Sequence, residues 1–105
     1  MPVPPQSVRN NARRALRARE KAVPSKKAMT RTGLKRANDL ANGANVSETT
    51  LNRMVSFLSR HRGNYQSAKA KGLKAEESKA IQSYLGWGGT SGLNWARSEL
   101  RKLED

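Results

Sequence analysis

Apolar residues recur along this chain at spacings of three and four and never alternate with a period of two, so the pattern predicts helices and no strand. Residues 1–5 are expected to be extended, because three prolines in four positions forbid helix. Ser7 is the expected cap of a first helix reaching about Lys21. Val8, Ala12, Ala15, Leu16 and Ala22 share one face of it, while Arg9, Arg13, Arg17 and Lys21 recur every four residues on another. Val23-Pro24-Ser25-Lys26-Lys27 reads as a flexible basic joint, since a residue before proline avoids the helical region. A second helix is expected over residues 32–42 on the stripe Leu34, Ala37, Leu40 and Ala41, with Gly43 as its stop.

The clearest start signal lies at Ser47, which can cap a third helix while Val46 packs on Leu51 as a hydrophobic staple. Glu48 sits in its first turn, where the helix dipole favours negative charge. Leu51, Met54, Val55 and Leu58 form its apolar stripe, and Gly63 is the expected end. Residues 63–74, polar and aperiodic, read as a loop. A fourth helix over residues 75–85 turns Ala80, Ile81, Tyr84 and Leu85 inward and stops at Gly86. After the turn Trp87-Gly88-Gly89, Thr90 or Ser91 caps a fifth helix to about Leu103, burying Leu93, Ala96, Leu100 and Leu103. The fold class is therefore all-α: a small bundle of four to five short helices with a basic N-terminal arm and helix. Its expected division is residues 1–31 for the arm and 32–105 for a compact helical domain.

Composition narrows the chemistry. A chain of 105 residues makes one domain. Its five aromatics (Phe57, Tyr65, Tyr84, Trp87, Trp95) all fall in the second half, so the core is expected there, with little contribution from the first third. There is no cysteine, which removes disulfides, thiolate nucleophiles and zinc fingers. The single histidine, His61, has no orienting carboxylate near it in sequence, and no serine motif marks a nucleophile. We therefore expect no enzyme, no metal and no cofactor. No apolar run is long enough to span a membrane, no secretory leader is expected, and the basic helix lacks an aromatic anchor for a lipid surface.

Charge then changes the picture. The chain holds 21 Lys and Arg against 8 Asp and Glu, a net charge of +13. Residues 1–36 carry eleven of those bases and a single acid, Glu20, so ten of the thirteen net charges lie in the first third. Like charges four apart on a helix cost about 0.2–0.5 kcal/mol per pair, so the arginine row is favourable only beside an anion, and the free helix is expected to fray. A polyanionic partner follows, with Arg9, Arg13, Arg14, Arg17, Lys26, Lys27, Arg31, Lys35 and Arg36 expected to hold phosphates. The preferred polyanion is duplex DNA rather than RNA. An acidic virion or host protein, or no partner at all for a merely solubilising tail, are the alternatives.

Two resemblances add to this. Val46-Ser47-Glu48-Thr49-Thr50-Leu51-Asn52-Arg53 resembles the start of the recognition helix in helix-turn-helix repressors. That resemblance implies Thr49 and Asn52 at base edges and Arg53 on a base or phosphate. An ordinary capped core helix explains the same residues, and Gly43-Ala44-Asn45 makes the turn about two residues longer than in that family.

The second covers more of the chain: Pro4-Pro5, Val8 and Arg14; Gly33, Arg36-Ala37 and Asp39-Leu40-Ala41-Asn42-Gly43; Ser47, Thr50, Arg53-Met54, Ser56-Phe57 and Arg60-His61; Trp87-Gly88-Gly89, Gly92 and Trp95-Ala96. This combination is similar to a small module that recurs in tailed-phage proteins. It implies a phage or prophage origin, and hence the cytoplasm of an infected bacterium or the interior of a virion, and supplies no catalytic role. Arg62-Gly63-Asn64 and Thr90 depart from the phage pattern, which tends to have an acidic or Lys-Gly-rich stretch and an Asp there. The Trp87-Gly88-Gly89 turn itself suits close helix packing, or an anion-binding concavity with Trp87 stacked on a base.

Overall fold

The first helix buries the face that its alanines mark. In the computed structural model, which describes residues 2–104, α1 (Gln6–Lys21) packs on α2 (Arg31–Ala41), α4 (Lys79–Gly86) and α5 (Gly89–Glu104). The remaining helix, α3 (Glu48–Ala70), packs on α4 and α5, so α4 lies between α1 and α3. The all-α expectation holds, with no strand among the described residues. Met1 and Asp105, the outer ends of the two expected segments, lie outside them.

Val8, Ala12 and Ala15 are fully buried, and Ala18 and Ala22 nearly so. The expectation that the first third adds little to the core is therefore corrected, and α1 is no detached arm. An alanine buries little area, but its small side chain lets helices approach closely, and at Gly86 of α4 an added Cβ would lie 3.6 and 3.7 Å from the Ala37 and Ala15 methyls. The main cluster joins Val8, Leu40, Leu51, Met54, Leu58, Tyr84 and Leu93. A smaller one joins Ala15, Ala68, Ile81 and Leu85.

Helix ends show where local signals sufficed. Ser47 accepts from the Thr50 N–H at 3.2 Å, as expected. Thr30 does the same for Gly33 at 3.1 Å and starts α2 one residue before the expected position. Gly43, with φ of 70°, follows its end. At α1 the cap position is Pro5 rather than Ser7, with no side-chain cap bond. Pro4 is buried instead, and Pro2 carbonyl accepts from the Val46 N–H at 2.8 Å.

Three expectations fail for identifiable reasons. Gly63 does not end α3, which continues to Ala70 because Tyr65 and Ala68 return to the core seven and ten residues after Leu58; Tyr65 stacks on Tyr84 at 4.3 Å. The stop is Gly72, at φ 77°. Residues 75–85 are not one helix: a 3-10 turn, Ala75–Glu77, precedes Ser78, whose hydroxyl accepts from the Ile81 N–H at 3.2 Å and starts α4. Leu103 is 60% exposed rather than inward, lying in the last turn of α5 beyond its packing partners.

The basic joint is likewise tied down. Gln82, fully buried on α4, accepts from the Ala28 N–H at 3.0 Å and donates to the carbonyls of Lys26 (2.9 Å) and Ala75 (3.0 Å). One side-chain amide thus satisfies main-chain groups of both the joint and the 3-10 turn before α4, and Pro24–Lys26 forms a 3-10 turn of its own.

Two glycines carry opposite expectations. Gly88 has φ 112°, and a Cβ there would meet the Gly92 Cα at 3.0 Å, so Gly88→Ala should lower stability in urea unfolding by about 2–3 kcal/mol. Gly63 is helical and exposed with nothing within 4 Å of its Cβ position, so Gly63→Ala should raise it by about 0.5–1 kcal/mol.

Candidate nucleic-acid interface

Burying one face of α1 determines what the other displays. With Val8, Ala12, Ala15 and Ala18 inward, the helical period turns Arg13, Arg14, Arg17 and Lys21 outward, and all four are exposed. On the neighbouring α2, burial of Gly33, Ala37 and Leu40 leaves Arg31 and Lys35 exposed. Lys26, in the turn between the two helices, is exposed as well. These cations are scarcely neutralised. The ion pairs within 4.0 Å among the described residues are Lys35–Asp39 (2.8 Å), Arg36–Asp39 (3.9 Å) and Lys102–Glu99 (3.3 Å). Glu76 shares a shallow hollow of about 240 Å³ with Arg14, Arg17 and Lys21, yet forms no ion pair there.

Not every predicted phosphate ligand stands free. The Arg9 guanidinium donates through Nε to the Pro4 carbonyl at 2.9 Å and packs over Gly43, whose Cβ position lies 3.3 Å from Nη1. The Lys27 ammonium donates to the Arg19 carbonyl at 2.6 Å, and Arg19 Nε to the Ala28 carbonyl at 3.0 Å, so this pair closes the end of α1 over the joint. Arg36 retains 16% side-chain exposure, lies 5.8 Å from the Trp87 ring centroid and has a buried Nε without a hydrogen-bond partner. These three are occupied with the fold, whereas the side chains of Arg13, Arg14, Arg17, Lys26 and Arg31 have no ion-pair or hydrogen-bond partner among the described residues.

Thr49, Asn52 and Arg53 are exposed on the first turns of α3, and the Asn52 amide donates to the Glu48 carbonyl at 3.2 Å. The helix before them, α2, packs on α1 and α4 while α3 packs on α4 and α5. Between α2 and α3 lies instead an open groove of about 280 Å³ lined by Thr32, Arg53, Ser56, Phe57, Arg60 and Trp87. Trp87 is only 8% exposed and stacks on Phe57 at 4.9 Å, so of the two expected roles the ring takes the close-packing one and is mostly committed to the core. Phe57 in turn lies 4.3 Å from His61.

The sequence reading missed Thr32, Ser56 and Arg60 as a set. Arg53 and Arg60, seven residues apart, fall on one face of the expected third helix, but no spacing within that helix shows that Thr32 and Trp87 come to line the same groove.

The division between structural and free arginines is testable by stability alone. Arg9→Ala should lower stability by about 1–2 kcal/mol in denaturant unfolding by removing the bond to Pro4, while Arg13→Ala should leave it unchanged or slightly raised, because it relieves like-charge repulsion.

No protein-family model, curated protein or solved structure matches this chain, so the function is read from the geometry of its basic face.

Proposed function

We propose that this protein binds nucleic acid without catalysis, gripping the phosphates of duplex DNA with the outer faces of α1 and α2. The observation that supports this is the display of Arg13, Arg14, Arg17, Lys26 and Arg31, exposed and without acidic partners among the described residues, on two packed helices and the turn joining them. Self-repulsion of such a cluster is relieved by a polyanion, and its affinity comes chiefly from counterion release. Lys35, paired with Asp39 at the surface, can exchange that contact for a phosphate at little cost. Arg9, Lys27 and Arg36 support the surface from beneath rather than leading the contact. Thr49, Asn52 and Arg53, exposed on α3, supply any preference for sequence. The phage-module resemblance implies that the setting is an infected bacterium or a virion.

A second reading, an assembly part docked on an acidic capsid or host protein, is favoured by one feature. A hollow of about 390 Å³ at the joint combines Val23, 59% exposed, and Leu73, 39% exposed, with Lys21, Lys26, Glu76 and Glu77, a mixture of apolar and charged groups suited to a protein surface.

Titration with random duplex at two salt concentrations separates the two. The nucleic-acid reading expects a Kd of roughly 10⁻⁴–10⁻⁶ M or tighter near physiological salt, rising steeply as salt rises; weaker binding overturns it. Replacing Arg13 and Arg17 together with Ala should reduce the slope of log K against log salt by about 1.8, and an unchanged slope would remove them from the interface. If a sequence preference exists, Thr49→Ala with Asn52→Ala should abolish it while leaving non-specific affinity in place.

A further inference from the structure

The groove between α2 and α3 differs in chemistry from the outer face of α1. Its lining joins two guanidinium groups, Arg53 and Arg60, two hydroxyls, Thr32 and Ser56, and two aromatic rings, Phe57 and Trp87, with no carboxylate. Thr32 lies in the first turn of α2, where the helix dipole adds positive potential. Arg36, held against Trp87 and only distantly paired with Asp39 at 3.9 Å, adds a further cation beside the same ring.

A bare phosphate would use the arginines and leave the aromatic floor unused, and a purely apolar ligand would leave the arginines unused. A nucleotide has a part for each. At about 280 Å³ the groove is smaller than the usual range for drug-sized ligands, about 300–1,000 Å³, and suits a single nucleotide unit rather than a longer segment. Because Trp87 is 8% exposed and stacked on Phe57, the base meets the open rims of these rings and the arginine planes rather than stacking on the indole face. A base inside a duplex is stacked and paired, so the duplex offers such a groove only its phosphates.

We propose that this groove holds one unpaired nucleotide of a nucleic-acid strand, its phosphate between Arg53 and Arg60 and its base and sugar against the open rims of Phe57 and Trp87. This rests on the nucleic-acid reading above and names the kind of site preferred: a duplex that ends in, or opens into, single strand. The α1–α2 face holds the paired backbone while the groove takes the first unpaired residue.

The test uses the full chain carrying Trp95→Phe, so that tryptophan emission reports Trp87 alone. Two probes are titrated: a short blunt duplex, and the same duplex with a short single-stranded thymidine tail. The tailed probe should bind roughly five- to tenfold more tightly and change Trp87 emission, whereas the blunt probe should bind without that change. Ser56→Glu, at an exposed position, should remove both the gain and the emission change while leaving the unfolding midpoint in place. Arg53→Gln with Arg60→Gln should do the same. Equal affinity for the two probes with unaltered emission overturns the groove assignment and leaves the backbone reading standing. An equal emission change from the blunt duplex, or from an acidic aromatic peptide, also overturns it. If neither probe binds, the backbone reading fails and the groove assignment with it.

Discussion

The close packing of the alanine face of α1 is the constraint on which the rest depends. Small side chains bring the helix down onto α4 at Gly86 and alongside α2 at Ala37, and that proximity completes the core formed by Leu40, Tyr84 and Leu93. The same packing turns four cations outward. In this chain, the interaction that folds the first third and the one that charges its surface are two faces of one helix. Separating them is difficult, because a larger residue at Ala12 or Ala15, both fully buried, would push the helix away and disperse the charged array with it.

Electrostatics inside the molecule are modest by comparison. The ion pairs of the described residues are short-range contacts within a helix, and exposed pairs of that kind add little to stability. Folding is driven by burial and by a small number of well-satisfied polar groups, and the excess of arginine is tolerated rather than used. Charge in such a protein sets partner choice and association rate instead of fold. Glu76 and Glu77 sit on the 3-10 turn, sharing hollows with cations at the end of α1, where they temper the field at one edge without cancelling it.

Much of this was legible in the residues. The helical period identified all five helices, and Ser47 and Gly43 marked ends that short-range hydrogen bonding decides. Long-range packing hid the rest. Gly63 is a poor helix residue, but the propensity it loses is small beside the burial of Tyr65 against Tyr84 further along the same helix. Residues 75–85 read as one helix from the apolar positions Ala80, Ile81, Tyr84 and Leu85, yet the hydroxyl of Ser78 and the bond from Gln82 to the Ala75 carbonyl divide the stretch. The free cations of α1 followed from spacing alone. Which arginines were taken by carbonyls did not, because Pro4 and Ala28 come near Arg9 and Arg19 only once the chain has folded. The groove depended on two helices meeting across Trp87, a juxtaposition no single periodicity contains.

The amide of Gln82 has a consequence for recognition. By fixing Ala28, Lys26 and Ala75 together it leaves the segment between α1 and α2 unable to act as a hinge without breaking buried bonds. For the proposed polyanionic partner, the cations of α1 and α2 would then be a stencil already cut to one spacing. Conformational entropy is surrendered once, during folding, so such an association would be the fitting of a rigid tool rather than the wrapping of a loose tail.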